Sequence, residues 1–214
     1  MKAAAAPPIL SLVTCGPQLE VALWAPSMAA SSIVRLGGTA PRSTLVLAGV
    51  DLLVEDAGLQ PGDIATVVVS RGPGSFTGIR AGLATASGIA AATGARVVSY
   101  DSLIMLAARC DHGDEVWAAQ PGRRGEVYAR QYSVGRGRPP EAISEIEIRM
   151  LHDIERDGPW IAAEALDLGP VQRAPAGRSS SEALIHLLRS GADSEAPEPL
   201  YVEGPPVHRR ATDS

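Results

Sequence analysis

Ile64-Ala65-Thr66-Val67-Val68-Val69-Ser70, followed by Arg71-Gly72-Pro73-Gly74-Ser75-Phe76-Thr77-Gly78-Ile79-Arg80, reads as a strand that runs into a glycine turn. The first seven residues are mostly apolar and β-branched, the composition of a buried strand. Beyond the turn an alanine-rich run reaches Thr93 and stops at Gly94, which predicts a helix. Ser75 or Thr77 can supply the N-cap oxygen, and Gly94 can take the left-handed backbone that ends a helix. Strand, turn and helix in this order mark an α/β fold, and the rest of the chain is read outward from them.

Small residues recur every four positions through the turn and helix, at Gly74, Gly78, Gly82, Ala86 and Ala90. That spacing puts them on one face, where a second backbone can come close. Glycine costs about 1 kcal/mol relative to alanine inside a helix, so Gly82 and Gly88 need a packing reason. Upstream, residues 42–57 also read as a helix, with Leu45, Val46, Leu47, Ala48, Val50, Leu52, Leu53 and Val54 leaving almost no polar side. A helix that is apolar nearly all round is covered on more than one side. The two helices are therefore expected to pack side by side and to form a partner-binding surface. Its expected residues are Val46, Val50 and Leu53 on the first helix and Gly78, Gly82, Ala86 and Ala90 on the second. Burial within the home domain is the competing explanation.

Chemistry alone leaves the glycine turn with two readings. Backbone N–H groups at a helix N-terminus can cradle a phosphate, helped here by Arg71 or Arg80. Equally, glycine and proline can simply turn the chain. No Gly-Lys-Ser/Thr closes the loop, so it is not a Walker A motif, and the third glycine falls one place late for a dinucleotide fingerprint.

The chain has 214 residues, 45% of them hydrophobic, and a net charge of −5. That length suits one large domain or two small lobes with a real core. Aromatics make up only 4%, so alanine, leucine and valine must build it. A protein that grips nucleic acid by itself normally shows a basic face. Here the basic clusters are small, Arg123-Arg124 and Arg209-Arg210, and autonomous RNA binding is not expected. Cys15 and Cys110 have no metal spacing and read as reduced thiols. His112, His152, His186 and His208 are scattered, so no metal site is expected. No apolar run reaches the length of about 18 residues that spans a membrane. The apolar start ending at Cys15 looks like an export signal, but residues 9–15 are wanted as a first strand, which favours the cytoplasm.

Taken in order, residues 9–14, 19–25 and 31–36 read as strands, then come the helix over 42–57, the strand–turn–helix unit and a strand over 95–100. A helix over 103–109 follows, capped by Asp101 or Ser102. Residues 116–119 and 126–134 read as strands of a smaller unit, 146–154 as strand or helix, 160–163 as a strand and 181–189 as a helix capped by Ser179 or Ser180. This gives a first lobe over 1–102, a smaller second lobe over 103–192, and a closing segment over 193–214 that is expected to return to the first lobe and end in a loose tail.

Gly72-Pro73-Gly74-Ser75-Phe76-Thr77-Gly78-Ile79-Arg80 resembles the signature of the TsaB (YeaZ) family. The likeness extends through residues 9–14 and 21–24, Arg124-Gly125-Glu126-Val127-Tyr128, and Pro199-Leu200-Tyr201. It implies a two-lobed α/β fold of the actin/Hsp70/sugar-kinase (ASKHA) type with a reduced second lobe. It also implies a non-catalytic subunit that supports TsaD in placing threonylcarbamoyl on adenosine 37 of tRNA, the t6A modification. In that scheme TsaD carries the catalysis, TsaE is an ATPase partner, a homodimer forms when the chain is alone, and tRNA is met only through the complex.

Three polar positions of the pattern are replaced. Family members commonly carry an aspartate where this chain has Val13, a second aspartate where it has Pro121, and a histidine where it has Arg42. Valine offers no oxygen to a Mg²⁺ ion. Phosphoryl transfer relies on metal and positioned charge, so the chain is not expected to perform it unaided. What is left is a weak or vestigial phosphate loop of Thr14, Gly72, Gly74, Ser75, Thr77, Gly78 and Arg80. A nucleotide is expected to bind it weakly at most, or at a partner interface. The old glycoprotease label finds no Ser-His-Asp order and no His-Glu-x-x-His. Arg124 and Glu126 are candidates for a functional pair or a plain surface ion pair. The alternatives to the TsaB reading are a small ATPase or phosphotransferase of the same fold, and a homodimer outside the tRNA pathway.

Overall fold

The computed structural model describes residues 6–111, 113, 115–154, 158–164 and 166–202. Its first sheet is built from β1 (Ile9–Val13), β2 (Leu19–Trp24), β3 (Ser32–Leu36), β4 (Thr66–Ser70) and β5 (Arg96–Tyr100), in the order β3-β2-β1-β4-β5. Strands β1, β4 and β5 run parallel, and β2 and β3 join them as antiparallel neighbours. Every residue of β1 and β4 is buried, which accounts for their mostly apolar composition.

Helix α1 (Arg42–Asp56) and helix α2 (Phe76–Thr93) lie side by side on one face of this sheet. Val46, Val50, Leu53 and Val54 of α1 share a core with Leu10, Leu12, Val21 and Leu23 of the strands and Ile79, Leu83 and Ala86 of α2. Helix α1 has no side-chain cap and no acid in its first turn, so its stability comes from this packing. Helix α2 is better defined locally. The Ser75 hydroxyl accepts the Gly78 N–H at 3.2 Å, and Gly94 closes the helix at φ 81°.

The opposite face of the first sheet carries α4 (Ser180–Arg189), which packs on β1, β2 and β4 and touches α3 (Ser102–Ala107). Asp101 caps α3 through the N–H groups of Leu103 and Ile104, and Ser179 with Glu182 forms a reciprocal capping box on α4. Helix α3 lies against the second sheet, so the two helices fill the space between the sheets. A division at residue 102 puts α4 with the second lobe by sequence, whereas its packing puts it on the first sheet.

The second sheet runs β10-β6-β7-β8, with β9 also paired to β7. Its strands are β6 (Glu115–Pro121), β7 (Glu126–Ser133), β8 (Glu141–Ala142), β9 (Glu147–Met150) and β10 (Trp160–Ala162). The ambiguous stretch over 146–154 thus splits into a strand and a 3-10 turn, Leu151–Asp153. The short β8 has no counterpart in the sequence reading. A small core of Trp160, Ala119, Ala129 and Leu168 sits on this sheet, with Trp117 stacked on Trp160 at 5.3 Å.

Residues 195–201 run back along the first sheet. Glu195 bridges to Ser99, the Leu200 N–H donates to the Arg71 carbonyl at 2.8 Å, and Arg71 pairs with Glu195 at 3.4 Å. Residues 203–214, with His208 and the Arg209-Arg210 cluster, lie outside the described residues, as does His112.

Candidate functional site

Two features of the sequence reading, the glycine loop and the α1–α2 pair, meet where β1 ends. Gly72 and Gly74 hold positive φ angles, 102° and 148°, that disfavour a side chain, and the Gly72–Pro73 peptide is cis. A Cβ on Gly72 would lie 2.8 Å from the Leu200 carbonyl oxygen, and one on Gly74 would lie 2.6 Å from that of Cys15. Farther along, a Cβ on Gly78 would collide with the Thr14 carbonyl and one on Gly82 with the Thr14 hydroxyl. The Thr14 hydroxyl itself donates to the Gly78 carbonyl at 2.7 Å. The four-residue stripe therefore has its close backbone neighbour at home, in the turn that follows β1.

This corrects the expected partner surface. Val46, Val50, Leu53, Gly78, Gly82 and Ala86 are all buried inside the chain, and Ala90 is half-buried. The reason is the helix period: positions that repeat every three or four residues share one face, and the sheet takes that face first. The outward side of the pair has other residues. On α1 it carries Leu47 (48% exposed) and Leu52 (55%), with Asp51 and Glu55 beside them. On α2 it carries Phe76 (49%), Ala84, Ser87, Gly88 and Ala91. A Cβ on Gly88 would meet nothing within 4 Å.

The expected phosphate loop is largely committed to packing. Thr14 is buried with its hydroxyl bonded, and Gly72 and Gly78 are buried. The Ser75 N–H donates to the Cys15 carbonyl at 2.9 Å, and the Gly78 N–H to Ser75 Oγ. Ser75 and Thr77 are exposed. Arg80 lies over the Phe76 ring at 4.5 Å, and Phe76 stacks on Tyr201 at 5.2 Å. Arg71 is held by Glu195, so of the two arginines only Arg80, turned onto the Phe76 ring, has no ion pair among the described residues. These seven residues do not converge on one ligand-sized space.

Two of the three replaced polar positions do come together. Arg42 and Pro121 line a hollow of about 280 Å³ with Cys15, Gly74 and Ser75. From the first residue of α1, Arg42 donates to the Thr14 carbonyl at 3.2 Å and the Pro17 carbonyl at 3.1 Å, fastening the β1–β2 turn. Cys15 is buried, and burial pushes its thiol above the ordinary value. Val13 lies apart, at a cavity of about 20 Å³ shared with Glu20, Gln120 and Ser180. Such a volume holds about one water molecule, with no room for a nucleotide.

Glu20 is a residue that the sequence reading missed. It is 3% exposed and accepts from the Ser181 N–H at 2.9 Å, the Ser181 hydroxyl at 3.1 Å and Arg35 at 3.0 Å. A carboxylate of the chain itself thus occupies the N-terminus of α4, the kind of place where a phosphate binds in other folds. Its one signal in the sequence is a charge inside an apolar strand. Arg124 sits at the β6–β7 turn with φ 47°, and among the described residues no Arg124–Glu126 ion pair forms. Among the described residues no cluster of three or more His, Cys, Asp or Glu side chains could hold a metal, and no helix is long and apolar enough to cross a membrane.

Residues 31–160 match the family model described as TsaD: tRNA N6-adenosine threonylcarbamoyltransferase. The chain is 29% identical over 114 residues to the tRNA threonylcarbamoyladenosine biosynthesis protein TsaB of Bacillus subtilis, covering 53% of this chain and 50% of that one. It is 30% identical over 124 residues to the TsaB of Escherichia coli, covering 54% of each. The matches thus span about half the length of these curated relatives. Among solved structures, YeaZ from Pseudomonas aeruginosa superposes with a TM-score of 0.74 at 22% identity, over 92% of this chain and all of that one. That likeness shows a shared two-sheet α/β fold.

Proposed function

The chain belongs to the TsaD tRNA N6-adenosine threonylcarbamoyltransferase family, as a diverged TsaB (YeaZ) member, and from this we propose that it is a non-catalytic subunit supporting a TsaD protein in t6A modification of tRNA. The observation that carries this reading is the outward side of the α1–α2 pair. Leu47, Leu52 and Phe76 are each about half exposed there, and α2 also exposes the small residues Ala84, Ser87, Gly88 and Ala91. Small residues let a partner backbone approach, and exposed leucines supply apolar area once water is excluded. Asp51 and Glu55, beside the leucines, would give a partner with basic residues its orientation.

The site chemistry supports the non-catalytic part of the reading. Val13 and Pro121 stand where carboxylates would organise a metal, Glu20 fills the α4 N-terminus, and the loop donors are spent on Cys15 and Ser75. In this proposal TsaD does the chemistry, TsaE joins as an ATPase partner, and tRNA is met only through the complex. A homodimer of the isolated chain would use the same outward face and compete with TsaD for it. All of this takes place in the cytoplasm.

The experiment is co-purification of the full chain with TsaD from the same organism, alongside calorimetry of the isolated chain with Mg²⁺ and ATP. A stable complex and weak or no ATP binding are expected. A folded chain that ignores TsaD, or one that turns over ATP unaided, would overturn the proposal.

A further inference from the structure

A cleft of about 480 Å³ opens between α4, the loop after β2 and the loop after β7. Arg178, His186 and Arg189 line it, with Trp24 and Ser31 in its wall. It shares Arg178 and His186 with an adjoining hollow of about 420 Å³ that adds Arg136 and Asp111. Trp24 pairs with Ile9, the end of β1 away from Thr14, so this cleft and the glycine loop lie at opposite ends of the first sheet.

The charges around the cleft do not balance. Among the described residues two carboxylates line it and its adjoining hollow, Asp111 and Glu182, and both are committed. Asp111 pairs with Arg178 at 2.5 Å, and Glu182 accepts the Ser179 N–H at 2.9 Å. Arg178 also donates to the carbonyls of Ala108 and Cys110. Two guanidiniums remain. Arg189 lies over the Trp24 ring at 4.0 Å and makes no ion pair or hydrogen bond among the described residues. Arg136 is exposed and makes no ion pair or hydrogen bond among the described residues.

The carbonyls at the end of α4 do not consume these cations. Ser190 N–H bonds the His186 carbonyl at 2.8 Å, and Ala192 N–H bonds that of Leu187 at 3.0 Å. His186 lies among these charges. Burial lowers its pKa from the ordinary imidazole value, Arg178 and Arg189 lower it further, and Asp111 opposes them.

We propose that this cleft and its adjoining hollow bind the phosphate group of a small molecule, with Arg189 on one side, Arg136 on the other and the imidazole of His186, which lines both, between them. The Arg189 guanidinium and the Ser31 hydroxyl at the cleft, with the Arg136 guanidinium at the adjoining hollow, offer donors from different walls to a tetrahedral anion. The site stands apart from the partner surface and does not depend on the TsaD reading.

The test is an NMR titration of the His186 ring protons in the full chain, in chloride buffer and with added inorganic phosphate. A bound phosphate favours the imidazolium form, so a saturable upward shift of the His186 pKa is expected. Asp111 and Glu182 already act on this region in both buffers, so the difference isolates the added anion. Arg136→Ala and Arg189→Ala should each weaken the phosphate effect about tenfold, the loss of one charge-assisted contact. Arg136 is on an exposed loop, so its variant keeps the fold and the test stays decisive if Arg189→Ala unfolds. Absence of a saturable shift, or an unchanged response in Arg136→Ala, would overturn the proposal. So would a short oligoribonucleotide shifting the resonance where inorganic phosphate does not, because the site would then read a nucleic-acid backbone.

Discussion

Gly82 and Gly88 stand on the same helix and carry the same penalty, yet their surroundings are opposite. A Cβ on Gly82 would collide with the Thr14 hydroxyl, and one on Gly88 would meet open space. The inner side of α2 is glycine-rich because β1 and its turn press against it. The outer side is small, at Ala84, Ser87, Gly88 and Ala91, and these four are exposed among the described residues. A residue pattern that looks like one surface is therefore two: a home contact already made, and an exposed outward side that the proposal assigns to a partner. The difference turns the search for a partner from Gly82 and Ala86 to Ser87, Gly88 and Leu52.

Neighbouring substitutions give the largest expected contrast. Ala86→Glu puts a carboxylate into a fully buried position and should cost about 3–5 kcal/mol, enough to unfold much of the chain. Ser87→Glu, one residue on and exposed, should change stability by less than about 0.5 kcal/mol. Urea denaturation of both variants checks this, and similar losses from the two would erase the distinction between the sides.

The glycines sharpen it with a change of sign. Gly82→Ala must displace Thr14 and should destabilise by roughly 1–3 kcal/mol. Gly88→Ala should stabilise the isolated chain by up to about 1 kcal/mol, since alanine is the better helix former and nothing obstructs it. Thermal melts of the pair are sufficient, and a destabilised Gly88→Ala would mean that the position has a home neighbour after all.

The smallest effect belongs to α4, away from both sides of α2, and serves as a control. His186 has its pKa lowered in the fold, so the unfolded chain binds its proton more readily. Its contribution is fully present above the ordinary imidazole value and is lost as pH falls from there through the lowered one. Urea midpoints measured across that window should fall with pH in the parent and in Ser87→Glu alike, and His186→Gln should flatten the slope. An unchanged slope in His186→Gln would assign the acid sensitivity to other groups.

How much of this was readable in the sequence follows from what kind of physics sets each feature. The strand–turn–helix unit was legible because its signals are local: β-branched residues through Ser70, a Ser75 cap, and Gly94 in the left-handed region. Both cysteines, read as free thiols, are free and buried. The side of each helix that faces home was not legible. Helix α1 is apolar around most of its circumference, and periodicity cannot rank two apolar faces. Glu20 and Ser181 are 161 residues apart, and no local pattern announces a carboxylate that caps a distant helix. The stack of Phe76 on Tyr201 escaped for the same reason. How far the glycine loop is committed was not legible either, since a glycine turn looks the same whether its N–H groups are free or, as at Ser75 and Gly78, already bonded.

The central claim is that this chain serves t6A formation through the outward side of α1 and α2, and the most direct measurement is the t6A content of tRNA in cells that lack the native gene. Those cells would be complemented with the parent chain, with Leu52→Glu combined with Ser87→Glu, or with Val13→Asp as a variant outside the surface. Parent and Val13→Asp should restore t6A. The double variant, shown to be folded by circular dichroism, should not. Full t6A in cells carrying the folded double variant, or none in cells carrying the parent, would contradict the account.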